Sequence, residues 1–270
     1  MKRFGFILLF AGVLVKGQAQ ELYPYAEPAS NMPAKSLALK GSAMVGNFAS
    51  PTKQRYTPEL QAGFTKDFML HIGTTFGKMH TSNSEWESAY AYAKYRFLSK
   101  DEVHKHFRMA VFAEGGYSRN EAFYDELNII GDNSGLQGGV IATELINKFA
   151  ASATASYIHS LAPEDEHYHF DPVKNAFSYS LSAGYLVLPF EYTSYDQTNV
   201  NIYAELLGQK ALDKDVYFVD LAPSIQFIFK STAKLNIGYR FQLGGNALRN
   251  MDKSLMVSFE YLFLNALKNK

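Results

Sequence analysis

The chain has 270 residues, no cysteine, and 26 basic residues balanced by 26 acidic ones. Without cysteine there is no disulfide, no thiolate metal site and no lipidated anchor, and a net charge of zero gives no argument for nucleic acid as a partner. Aromatic residues reach 15%, with 18 Tyr and 21 Phe beside one Trp, a composition suited to the two boundaries between lipid and water.

The amino terminus, MKRFGFILLFAGVLVKGQAQ, joins Lys2 and Arg3 to an apolar run from Phe4 to Val15 and to small residues at Gly17 and Ala19. This is the plan of a secretory signal peptide, predicted over residues 1–19. Residues 20–33 contain Pro24 and Pro28 and show no alternation, so they read as an irregular lead-in. No later stretch approaches the ~18 unbroken apolar residues of a membrane-spanning helix.

Residues 34–270 read instead as one β-barrel. Twelve stretches alternate apolar and polar residues with period two, at 34–45, 56–65, 68–79, 88–98, 107–118, 135–146, 149–159, 176–188, 200–209, 216–229, 233–243 and 255–264. In residues 234–243, Leu235, Ile237, Tyr239, Phe241 and Leu243 share one face, and Lys234, Asn236, Gly238, Arg240 and Gln242 share the other. Many stretches exceed ten residues, the length a tilted strand needs to cross a bilayer. Short polar turns at 66–67, 147–148 and 230–231, with a longer one at 99–106, alternate with long polar loops at 81–87, 119–134, 160–175, 210–215 and 244–254. That asymmetry predicts an all-β, antiparallel transmembrane barrel with short periplasmic turns and longer extracellular loops. Residues 189–199 are long for a periplasmic turn.

Aromatics in the apolar register form two belts. Phe64, Phe68, Tyr95, Phe97, Phe107, Phe149, Phe227, Phe229 and Phe263 lie near the short turns; Phe76, Tyr117, Tyr157, Phe177, Tyr179, Tyr217 and Phe241 lie near the long loops. A soluble β-sandwich would show the same alternation with its apolar face inward. Strand length, the signal peptide and polar faces rich in small residues, such as Ser178, Ser180, Ser182 and Gly184, favour the membrane.

The polar register places Lys40, His71, Lys94, Arg96, Arg108, Glu114, Glu205, Asp220, Lys234, Arg240 and Glu260 in the lumen. Their mixed signs fit either mutually paired charges that fill a narrow interior or a charged constriction that selects a solute. Tyr90, Tyr92, Phe112, Tyr203 and Leu207 also point inward and narrow it. His159, His167 and His169, beside the carboxylates of one long loop, form a weak metal-binding cluster that matches no metal motif. No G-x-S-x-G elbow is present and no local pattern sets a His beside a Ser, so no enzyme is expected and no cofactor. The pairs Gly115-Gly116, Gly138-Gly139 and Gly244-Gly245 lack the strand-to-helix setting of a phosphate loop and read as bulge, bend or loop glycines.

The signal peptide, the two aromatic belts, the alternating NIGYRFQL and SLMVSFEYLF strands and the absence of cysteine together resemble gram-negative outer-membrane β-barrel proteins. The nearest likeness is to transporter-like barrels grouped with the outer-membrane proteins of phenol-degradation pathways. The resemblance implies outer-membrane localisation, contact with outer-membrane lipid, insertion by the outer-membrane assembly machinery, and passage or binding of small solutes. One departure is that Phe263 is followed by LNALKNK, where many such barrels end on an aromatic residue. The expected protein is a monomeric narrow channel with both termini periplasmic. The alternatives are a closed structural or adhesive barrel that binds a partner through its loops, and a metal-binding surface loop.

Overall fold

The computed structural model describes residues 23–47, 52–161, 171–191 and 196–268. The predicted signal peptide at 1–19 lies outside them. Among the described residues, twelve strands form one closed antiparallel barrel: β1 (Ser36–Gly46), β2 (Lys53–Gly63), β3 (Phe68–Gly77), β4 (Glu85–Glu102), β5 (Lys105–Ser118), β6 (Gly135–Ile146), β7 (Phe149–Ser160), β8 (Asn175–Leu188), β9 (Asn199–Ala211), β10 (Tyr217–Phe229), β11 (Ala233–Gly245) and β12 (Lys253–Phe263). Each strand pairs with its neighbours in the chain, and β1 pairs with β12 to complete the ring. All-β architecture and twelve strands agree with the periodicity.

One connection differs. Residues 99–106, read as a loop, form instead a hairpin in which β4 runs on to Glu102 and β5 begins at Lys105. His104 takes the left-handed conformation at the tip, with φ at 61°. Polar residues build this extension, including an Asp101–His106 contact of 2.7 Å, so no change in hydrophobicity marks it.

Period-two alternation resolves into an apolar outside and a polar inside. Outward positions such as Leu39, Ile72, Val140, Leu181 and Phe259 are exposed, while Lys94, Glu205, Asp220 and Gln226 on the inner face are buried. Both aromatic belts face outward, with stacked or edge-on neighbours such as Phe227–Phe229 and Tyr261–Phe263. An exposed apolar girdle edged with rings is stable only against lipid.

Two prolines within strands sit where the ladder is interrupted. The β2–β3 register omits Thr57 and Pro58, and the β10–β11 register omits Ala222 and Pro223. Proline has no N–H to donate, so it is tolerated where one neighbour needs none. The glycine pairs correct an expectation: Gly115-Gly116 and Gly138-Gly139 lie in an unbroken β5–β6 register without a bulge. One glycine of each pair serves close approach instead: a Cβ on Gly116 would fall 2.5 Å from the Ile129 side chain, and one on Gly139 would fall 2.9 Å from the Phe112 ring.

Two rows of side chains cross the strands on the inner wall. Glu59, Lys40, Glu260 and Lys234 stand opposite one another on β2, β1, β12 and β11, alternating in sign. Asn201, Gln226, Asn236 and Ser258 do the same on β9 to β12. In this second row each amide donates to the next side chain, at 3.2, 2.8 and 2.9 Å, and the Tyr203 hydroxyl donates to Gln226 at 3.0 Å. Such rows bind the wall across strands as the backbone ladder does. Replacing Gln226 with Met removes three buried hydrogen bonds, to Asn201, Tyr203 and Asn236, at about 1–3 kcal/mol for each group that no other partner or water reaches. The expected result is a clear fall in the urea midpoint of the barrel folded in vesicles, and an unchanged midpoint would contradict the row's role.

Candidate functional site

The lumen is occupied from both ends. From the short-turn rim, residues 23–35 enter the barrel and cross it without regular structure, as Pro24, Pro28 and Pro33 dictate. The segment's backbone groups are answered by wall side chains. The Tyr25 and Ala26 amides donate to the Glu205 carboxylate at 3.0 and 2.8 Å, and the Ala29 amide donates to Thr143 Oγ1 at 2.8 Å. Lys94 Nζ donates to the carbonyls of Pro28 and Ser30 at 2.6 and 2.9 Å and pairs with Glu27 at 3.3 Å. Arg108 donates to Ser30 Oγ at 2.8 Å. Apolar contacts fix three points along it: Tyr23 against Leu145, Ala150 and Tyr203; Ala29 against Tyr92, Phe112 and Ile141; Met32 against Ala38, Met69 and Leu262.

From the long-loop rim, residues 119–134 fold inward. Leu127 and Ile129 pack against Ile158, Val173, Ala176 and Ala211. The Gln209 side chain pairs with the backbone of Leu127 as a strand would, accepting its N–H at 2.8 Å and donating to its carbonyl at 2.9 Å. Two buried ionic groups latch the loop. In one, Asp132 receives Arg55 at 2.6 and 3.0 Å and His80 at 2.8 Å, while Arg55 also pairs with Glu87 at 2.7 Å. In the other, Glu126 and Asp220 share Arg240 and Arg249, and the Arg249 guanidinium lies 3.8 Å over the Phe218 ring. Burial alone would raise the Asp132 carboxyl, but Arg55 and His80 hold it far below the ordinary carboxylate range.

Between these two inserts lies a chamber of about 420 Å³. Its wall includes Lys40, Glu59, His71, Tyr92, Phe112 and Glu114, its floor Pro24 to Glu27, and its roof Glu126 to Ile130.

The eleven ionisable residues read as inward occupy the inner wall, but they do not gather into one constriction. Lys40 lies 3.9 Å from Glu59, and Lys234 lies 2.6 Å from Glu260. Lys94 and Arg108 hold the amino-terminal segment, and Glu205 caps its amides. Arg96 binds Asp67 at the β2–β3 turn, and Arg240 binds Asp220 at 2.5 Å. His71 and Glu114 face the chamber. Of the histidines weighed as metal ligands, His167 and His169 lie outside the described residues. His159 is on the outer face, with Nδ1 2.9 Å from the Asn175 side chain. No metal-holding group of His, Asp and Glu occurs among the described residues.

Sequence reading missed Glu59, although the alternation of β2 assigns it inward beside Gln61. It missed Arg55 and Glu87 because both lie just outside the stretches taken as strands. Glu27, Glu126, Asp132 and Arg249 carry no such signal, since irregular segments have no period to place a side chain.

No protein-family model matches the chain, and no curated protein sequence matches it. Among solved structures, an outer membrane channel from Pseudomonas putida F1 is similar over 90% of this chain and 100% of its own, with TM-score 0.57 and 15% identity. Looser likenesses are the NanC porin, at TM-score 0.48 and 11% identity over 83% of this chain and 98% of its own, and OprD from Pseudomonas aeruginosa, at 0.41 and 9% over 84% and 65%. The fold is that of an outer-membrane β-barrel.

The Asp132 latch makes a pH prediction. Its folded carboxyl is depressed, so its stabilisation is complete above the unfolded value of about 3.9 and is lost only as pH falls well below that. Proteolytic protection of residues 121–131 is therefore expected to be the same at pH 7 and pH 5. Asp132→Asn should loosen the loop at both pH values, and a loop equally protected in that variant would contradict the latch.

Proposed function

We propose that the protein is an outer-membrane channel that passes small solutes through the lumen chamber. The chamber carries this reading: a barrel built only as a scaffold would have no use for an internal space of about 420 Å³ left between two inserts. The strand wall is continuous and self-closed, so one chain suffices, and its apolar girdle suits insertion by the outer-membrane assembly machinery.

Selection works by width and by the groups that remain available. Lys94, Arg108 and Glu205 are engaged with the amino-terminal segment, and Arg240 and Asp220 with the loop latch. These residues therefore set how firmly the inserts are seated. Solute meets the aromatic and charged wall between them. The alternative of a closed barrel that offers its loops to a partner is less favoured by residues 119–134, where Leu127 and Ile129 turn inward while Phe123 is exposed.

Planar-bilayer recording tests the proposal. The intact protein should give small conductance steps, and a variant lacking residues 23–34 should give steps several-fold larger, because its floor is gone. Absence of conductance from both proteins, each shown to be folded by heat-modifiable gel mobility, would overturn the channel reading.

A further inference from the structure

Among the described residues, six that line the chamber have a buried polar atom without a hydrogen-bond partner, and three of them stand together on the wall: His71 with Nε2, Tyr92 with its hydroxyl and Glu114 with Oε1. These three are only 3%, 7% and 9% exposed. They are also consecutive. His71 on β3 stands opposite Tyr92 on β4, and Tyr92 stands opposite Glu114 on β5. A buried polar group without a partner is disfavoured, and three in one row on a cavity wall form a built surface that awaits a partner.

Charge narrows what that partner is. Three carboxylates, Glu27, Glu59 and Glu114, line this side of the chamber. Lys94 meets Glu27 at 3.3 Å, and Lys40 meets Glu59 at 3.9 Å. Glu59 is further held by the Tyr90 hydroxyl at 2.5 Å and the Gln61 amide at 2.6 Å, with His71 Nδ1 3.6 Å away. None of the ion pairs among the described residues includes Glu114. Its other cross-strand neighbour, Gln137, donates away from it to Ser156 Oγ at 2.9 Å. Glu114 is thus the one of these three carboxyl groups that no cationic side chain meets among the described residues.

The rest of the wall beside Glu114 is aromatic and apolar. Tyr92 stacks on Phe112 with ring centroids 5.4 Å apart, His71 lies 5.1 Å from Tyr92, and Ile141 packs beside them. Bare metal ions prefer several oxygen or nitrogen ligands at once, and among the described residues no third His, Asp or Glu joins His71 and Glu114 in a metal-holding group. Ring faces and a carboxylate together suit an organic ammonium.

We propose that the His71–Tyr92–Glu114 row is a binding site for a small organic monocation. The ammonium group donates to Glu114 Oε1, the body of the ligand lies on the Phe112 and Tyr92 rings, and a polar substituent reaches His71 Nε2. This deepens the channel reading by naming a solute class, and rests on it for the meaning of the site in transport. Binding itself can be measured without flux.

The test is calorimetric titration of the full-length folded barrel in detergent with benzylammonium chloride, with benzyl alcohol as the neutral analogue and benzoate as the anionic one. Benzylammonium should bind about tenfold or more tightly than either, and Glu114→Gln should weaken it by about the same factor while leaving heat-modifiable mobility intact. Tyr92→Phe, which keeps the ring and removes the hydroxyl, should weaken it several-fold and serves if Glu114→Gln fails to fold. Equal binding of benzyl alcohol, unchanged affinity in the variants, displacement by equimolar KCl, or no binding at all would overturn the proposal. Conductance without benzylammonium binding would remove the site and keep the channel. Binding without conductance would do the reverse.

Discussion

Backbone hydrogen bonding within a closed ring is the constraint on which everything else in this protein depends. Lipid offers no hydrogen-bond partner, so every strand N–H and C=O at membrane depth must find its partner in the neighbouring strand, and the β1–β12 ladder removes the last free edge. Closure then divides side chains strictly into two sets. Outward ones meet lipid and are apolar with aromatic margins. Inward ones must satisfy one another or whatever enters the lumen.

Much of the interior can be read as the working out of that second requirement. Where wall residues match across strands they form rows, charged along Glu59–Lys40–Glu260–Lys234 and amide-based along Asn201–Gln226–Asn236–Ser258. Where they do not match, an insert supplies the partner. Lys94 finds two carbonyls of the amino-terminal segment, Glu205 finds two of its amides, and Arg55 finds Asp132 of the inward loop. A buried charge without a partner is costly, so the inserts and the wall stabilise each other. Along the His71–Tyr92–Glu114 row three adjacent groups keep a polar atom that neither a matching strand nor an insert completes.

Legibility followed the same division. The inward placement of Lys94, Glu205, Asp220 and Arg240 could be read from alternation, because period two is a property of the strand itself. Their partners could not: Lys94 and Glu205 hold the amino-terminal segment, whereas Asp220 and Arg240 belong to the loop latch. Arg96 illustrates the difference: its register is inward, yet its partner is Asp67 at the rim. The β4–β5 hairpin escaped notice because its added residues are polar on both faces, beyond the lipid boundary that makes alternation visible.

By itself the sequence determined the strands, their number, which face meets lipid and the height of the aromatic belts. These are set locally, by residue type at spacing two against two different solvents. Only the tertiary structure decided that residues 23–35 form a floor, that residues 119–134 form a roof, and that a chamber with an unmatched carboxylate lies between them. Those features join residues 64 to 180 positions apart through irregular backbone, where no local period records which partner a side chain will meet.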